Sequence, residues 1–233
     1  MSVELEGIVL ATSRKLNGYC VVLLETSSKR FYRIVSDSPF RNGGELSETE
    51  ITTADGKRIE NLDVVKLYVK SKNPVNDMYQ HENIILDDTK KIIYLNHIDK
   101  NDLVQIFGEK NLNFPTQIFI NEWSSMTATE ARNCGTSFML LKVFGLKFYV
   151  EQNSKGEPSC KCSFKYNGIE YTGMNVTISA TKEDDIRKYA GKHYPNGLVC
   201  FSFGAPYLTQ GNKEPKCFKF MCSFLGYWSY YGK

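Results

Sequence analysis

The sequence predicts a mostly β protein made of two small barrels or sandwiches in tandem, with one or two short helices. Three observations predict it. Apolar and polar residues alternate with a period of two along much of the 233-residue chain, the signature of strands with one buried face. No helical pattern of roughly 10 to 15 residues lies between those strands, which argues against βαβ units. The alternation pauses in an Asn-bearing stretch at 108–115 and then restarts, so two β units fit better than one.

Taken in order, residues 3–10 open with strict alternation and close apolar, as a first strand with one buried face. Residues 12–18 are polar and doubly basic, and 19–24 resume as an apolar strand, giving a hairpin whose loop carries Arg14 and Lys15. A third strand is expected at 29–36, a long turn at 37–44, a short helix or loop at 46–53 and a fourth strand at 63–70, broken by Asn73-Pro74. Short strands at 84–86 and 92–95 follow. Residues 98–107 are the first helix candidate, with Asp99 and Asp102 suited to its N-terminal turn. The first barrel is therefore placed at 1–110 and the second at 116–233.

In the second half, strands are expected at 117–123, 137–143, 146–151, 163–166, 169–171, 175–180, 198–203 and 216–224. Asn167-Gly168 is the strongest short hairpin signal in the chain. Thr181 followed by Lys182-Glu183-Asp184 suits the start of a short helix running to Tyr189.

Composition excludes several classes. With 42% hydrophobic and 24% charged residues, net charge +3, 7 Pro and 17 Gly, the chain is neither disordered nor collagen-like. The 14 Tyr, 14 Phe and 2 Trp suit strands with ring-bearing faces. No apolar run approaches the roughly 18 residues of a membrane span, and no basic-then-apolar leader opens the chain, so a cytoplasmic protein is expected. Seven cysteines, an odd number without dense spacing, read as reduced thiols. Cys160 and Cys162 are expected on one strand face; zinc would need Cys217, Cys222 or His193 from a distance, and neither metal nor other cofactor is expected. Charge is uneven: residues 1–115 hold 15 Lys and Arg against 17 Asp and Glu, and 116–233 hold 14 against 9.

No nucleophile elbow, phosphate loop, zincin motif or dinucleotide fingerprint occurs, and the three histidines lie far apart. The richest stretches are 13–20, 31–36 and 44–47. A folded hairpin would bring Arg14 and Lys15 near Arg33, and three cations beside exposed rings suit a phosphate and a stacked base. The bland alternative has Arg14 and Lys15 solvated at a hairpin tip and Arg33 paired with Glu45 or Glu82.

These stretches resemble the bacterial dual OB domain-containing proteins. That family carries a Ser-Arg-Lys-Leu segment, a strand with Arg and Val-Ser, a Gly-Glu-Leu-Ser turn, an Asp-Val-Val strand and a Glu-Asn segment. Here they stand in the same order at 13–20, 31–36, 44–47, 61–65 and 81–84, and 198–206 with 217–220 look like its closing pair of strands. The family's Trp, its Pro after Arg and its Pro before Glu-Asn are replaced by Phe31 or Tyr32, Ile34 and His81. The resemblance implies two OB-like β-barrels and a binding module for nucleic acid or a nucleotide, in the setting of bacterial conflict or anti-phage systems. It places a shared ligand site at Ser13, Arg14, Lys15, Arg33, Ser36, Glu45, Glu82 and Asn83, beside which Tyr32 is the candidate stacking ring. Two alternatives stand beside it. One is a protein-interaction adaptor docking a partner through Tyr227, Trp228 and Tyr230; the other is a phosphoesterase-type enzyme using Glu45 or Glu82.

Overall fold

The computed structural model describes residues 2–39, 44–113, 117–119, 121, 123–153, 156–208 and 214–228, and half of the chain is strand against 15% helix. It divides into two compact units, Met1–Gly108 and Glu109–Lys233.

In the first unit the alternating stretches become β1 (Val3–Lys15), β2 (Gly18–Glu25), β3 (Phe31–Val35), β4 (Asp63–Val69), β5 (Asn83–Ile85) and β6 (Ile93–His97), followed by α1 (Lys100–Phe107). Neighbours run β5-β3-β2-β1-β4-β6, and β3 pairs with β5 in parallel. The ring closes because Lys70 N donates to Ile85 O (2.9 Å), Asp87 N donates to Tyr68 O (2.9 Å) and Val69 bridges Leu86. Its interior holds Leu5, Val9, Val21, Leu23, Tyr32, Ile34, Val65, Leu67 and Ile84. In α1, Asp99 caps the helix by accepting from Asn101 N and Asp102 N, while Asp102 reaches back to Asp99 N.

The second unit contains β7 (Ser125–Thr127), α2 (Ala128–Asn133), β8 (Phe138–Gln152), β9 (Pro158–Tyr166), β10 (Ile169–Val176), α3 (Lys182–Tyr189), β11 (His193–Phe203) and β12 (Lys216–Gly226). The order β10-β9-β8-β11-β12, with a parallel β10–β12 pairing, closes a second ring. Both rings thus follow one plan: first strand to second, second to third, third in parallel to fifth, fifth to fourth, fourth back to first. A five-stranded barrel of this order is the OB arrangement. Its core absorbs the aromatic load: Phe119, Phe164, Tyr171 and Phe201 cluster with centroid separations of 4.7 to 5.9 Å, and Phe148 stacks on Tyr189 at 5.1 Å.

Several elements differ from the sequence reading. The strand expected at 117–123 is a 3-10 turn, Gln117–Phe119. Ile118 and Phe119 are consecutive and both buried, which a half-exposed strand does not allow; Ile120 and Glu122 lie outside the described residues. The two strands expected at 137–143 and 146–151 are one 15-residue strand, carried past an irregularity by Gly145 at φ +58°. The stretch 175–180 is strand only to Val176, continuous with Ile169. The helix α2 is an addition to the expected elements, although Thr127 and Glu130 form a capping box that the sequence displays as Thr-x-x-Glu. Asn167 (φ +49°) and Gly168 (φ +80°) do make the hairpin turn, Thr181 does cap α3, and Cys160 and Cys162 do share the buried face of β9. All seven cysteines are free and buried, no metal-ligating cluster forms among the described residues, and no described helix is long and apolar enough to cross a membrane.

Candidate functional site

The outward face of the first barrel gathers a buried polar cluster. Pairing in β1–β2 sets Val9 opposite Leu23 but Ala11 opposite Val22, so Leu10 is extra. Val9 and Leu23 face the core, and the inserted residue reverses the alternation beyond it. Ser13 and Lys15 therefore point outward with Cys20 and Val22, whereas unbroken alternation would have turned them inward. Val22 registers with Arg33, and Arg33 with Asn83 through the parallel pair. One face thus carries Ser13, Lys15, Cys20, Arg33 and Asn83.

The β4–β5 connection, residues 71–82, closes over these groups. Asp77 accepts from Asn83 Nδ2 (3.0 Å) and from the amides of Tyr79 and Gln80, and Arg33 N donates to Glu82 O (2.9 Å). The Arg33 guanidinium reaches Glu82 Oε1 at 3.3 Å and Cys20 Sγ at 3.6 Å, with Arg33 1% exposed and Glu82 7%. Glu45 and Gln80 are also buried. Lys15 binds its proton less tightly than an ordinary lysine: burial is the main cause, Arg33 adds to it, and Cys20, Glu45 and Asp77 oppose it. Among the described residues, the buried oxygens Ser13 Oγ and Asn83 Oδ1 meet no hydrogen-bond partner.

Six of the nine expected site residues therefore assemble: Ser13, Lys15, Arg33, Glu45, Glu82 and Asn83. Three do not join. Tyr32 lies in the barrel core, one step off Arg33 in the alternation, and cannot offer a stacking face. Arg14 registers with Tyr19, whose ring packs against that core. Ser36 donates to Glu50 Oε1 (3.3 Å), and the other oxygen of that carboxylate, Oε2, holds the Ser47 turn. The expectation of cations waiting beside exposed rings is corrected accordingly: Arg33 is spent on a buried ion pair, and the alternative pairing with Glu82 is the one that forms. Glu45 and Glu82, the expected water-activating carboxylates, are likewise enclosed.

The matching face of the second barrel is built differently. In β9, Cys160, Cys162, Phe164 and Tyr166 face the core, so Lys161, Ser163 and Lys165 face out. Cross-strand register places Tyr149 beside Lys161, Lys147 beside Ser163 and Asn175 beside Lys161. Gly173, at φ +69°, turns its amide to donate to Tyr149 Oη (2.8 Å), and Lys161 Nζ donates to Asn175 Oδ1. Partial burial lowers the Lys161 pKa, opposed by Glu151 and Cys162. Lys147 and Lys165 are exposed.

A model of the dual OB-containing domain matches residues 6–223. The chain belongs to the dual OB-containing domain family. Solved structures similar to this dual OB chain include the Ifi202 HINa domain in complex with 20-bp double-stranded DNA, at 13% identity, TM-score 0.31, 95% of this chain and 91% of that one. The tetrameric p202 HIN2 aligns at 9% identity and TM-score 0.28 over 95% and 89%. No curated protein matches.

In the dual OB chain the second-barrel face escaped sequence reasoning, although its signal was present: Ser159, Lys161, Ser163 and Lys165 alternate with Cys160, Cys162, Phe164 and Tyr166. The C-terminal aromatics pack on their own unit as far as they are described. Tyr227 meets Tyr194 at 5.1 Å, and the Trp228 backbone is clasped by Asn196 through bonds of 2.8 and 3.1 Å. Tyr230 lies outside the described residues.

Proposed function

We propose that this dual OB chain is a non-enzymatic module that binds single-stranded nucleic acid on the outer face of β8, β9 and β10. The observation that supports it most is the contrast between the barrels. OB barrels bind oligomers on the face of their second and third strands and its flanking loops. In the first barrel residues 71–82 pack against that face, and Arg33 there is paired with Glu82. In the second the face carries Lys147, Lys161 and Lys165, with Tyr149 registered against Lys161 and the carboxylates Glu151 and Glu170 on the same face; lysines with a ring are of the kind that hold phosphates and a base. The excess of Lys and Arg over Asp and Glu in 116–233 points to the same half.

The test is fluorescence anisotropy with labelled single-stranded DNA and RNA across a salt series. Binding is expected at low salt and to weaken as salt rises, by about 0.7 log units per log unit of salt for each phosphate neutralised. Replacing Lys147, Lys161 and Lys165 together by Ala flattens that slope by about two units and weakens binding at least about tenfold. Failure of both strands to bind at low salt, or an unchanged slope in the triple variant, defeats the proposal.

A further inference from the structure

The segment leading into β7 leaves an indole on the surface. Trp123 is 75% exposed, the highest value for a large apolar side chain among the described residues. Indole rings are highly buried on average, so one this exposed offers an open face. Trp123 borders a cavity of about 520 Å³, shared with Asn121, Ser124, Ser125, Glu130 and Lys216. That volume lies within the range of roughly 300 to 1,000 Å³ typical of small-ligand sites.

The polar groups around the cavity are arranged by the fold. The β7–β12 pairing sets Lys216 opposite Thr127. Glu130 Oε2 accepts from Thr127 N at 2.7 Å, which ties the carboxylate to the helix cap. Lys216 forms no ion pair among the described residues, and the cavity's other charged group is the Glu130 carboxylate, held at the helix cap. Asn121 Oδ1 accepts from Lys219 Nζ (2.8 Å) and from Trp123 N (3.1 Å), and the Asn121 carbonyl accepts from the same ammonium (3.1 Å). With its oxygen doubly occupied, Asn121 has its Nδ2 hydrogens left to offer. Lys219 is fully buried, and acts here as a positioning residue.

We infer that this cavity takes a nucleobase-bearing phosphate, with the base stacked on Trp123, the phosphate on Lys216, and Asn121 donating to the base edge or sugar. A bare sugar also stacks on indole, but it leaves the cation unused. A cationic ring meets Lys216 with like charge. A planar ring joined to an anion uses the indole, the Lys216 ammonium and the Asn121 amide, while the Glu130 carboxylate is engaged at the helix cap. The ligand class rests on the proposed function; the surface is a different one.

Trp123 supplies its own signal. In a Trp228→Phe background it is the sole indole, and its fluorescence is titrated with adenosine monophosphate, adenosine and an unlabelled oligothymidylate. Saturable quenching by the monophosphate is expected, about tenfold weaker in Lys216→Ala and recovered in Lys216→Arg, with adenosine indifferent to both changes. Quenching by the monophosphate alone assigns the site to a free nucleotide, and quenching by the oligothymidylate as well assigns it to a strand. No quenching by either, or quenching unchanged in Lys216→Ala, overturns the inference. If Trp123 stays silent while the anisotropy assay shows strand binding, the cavity site falls and the proposed function stands. If the monophosphate quenches Trp123 while no strand binds, the proposed function falls and the cavity site stands.

Discussion

Arg33 shows how one side chain changes meaning with its surroundings. On an open strand it would be a phosphate ligand. Here Glu82 and Cys20 enclose it, and a buried pair of this kind is costly to break because the surviving charge has nowhere to go. Arg33→Ala is expected to destabilise the first barrel by about 3 to 5 kcal/mol, read as a lower urea midpoint, while Arg33→Met with Glu82→Leu recovers most of that loss. Retained stability in Arg33→Ala would return the residue to the ligand-binding candidates. Lys219 makes the opposite case in the second barrel. Burial pulls its pKa down to about 8, opposed by Glu130 and Cys134. The unfolded chain then binds the proton more tightly than the folded one between about pH 8 and the ordinary lysine range, so this residue's contribution to stability rises with pH across that window. The buried thiols of Cys162, Cys200 and Cys217, pushed up by burial, slope the other way. Subtracting Lys219→Met from the parent leaves the lysine alone: the difference in unfolding free energy should grow by up to about 3 kcal/mol from neutral pH to about pH 10. A flat difference would show that Lys219 titrates normally.

At the scale of elements, the polar cluster depends on irregularities more than on regular strands. Leu10 bulges and thereby reverses the facing of Ser13 and Lys15. Gly18 lets the segment around Leu46 lie against β2, where Tyr19 and Leu46 exchange backbone bonds of 2.8 and 2.9 Å. A Cβ on Gly18 would meet Leu46 O at 2.3 Å and Glu45 Cγ at 3.0 Å. Gly18→Ala is expected to cost about 1 to 3 kcal/mol and to loosen Glu45 from the cluster, measured by urea unfolding and by amide exchange at Tyr19 and Leu46. Unchanged protection there would refute it. Local chemistry made some elements legible from sequence: the Asn167-Gly168 turn, the Asp99 cap and the Thr181 cap each rest on interactions within a few residues. The 3-10 turn at Gln117–Phe119 was not legible, because Ile118 and Phe119 are apolar in either conformation and only the aromatic cluster around Phe119 decides between them.

Across the whole molecule, one plan is used twice to different ends. Both units close a ring in the same strand order around an apolar core, yet one covers its outer strand face with the β4–β5 connection and the other leaves Lys147 and Lys165 of the corresponding face exposed. A small net charge of +3 conceals this, because Arg33 is buried against Glu82 in the first barrel's polar cluster while Lys147 and Lys165 stand in solvent in the second. By itself the sequence determined the two β units, most strand positions, and the hairpin and caps, and it offered nine candidate site residues in the first barrel. Period-two patterning and turn chemistry are local, and local rules survive in a one-dimensional string. The tertiary structure alone decided which six of those candidates gather on one face, five buried and Lys15 half-buried, that Tyr32 faces the core, and that Lys147, Lys161, Lys165 and Tyr149 share a face. Those outcomes depend on a single inserted residue in β1, on the path of residues 71–82 and on strand register, where one step turns a side chain from core to solvent.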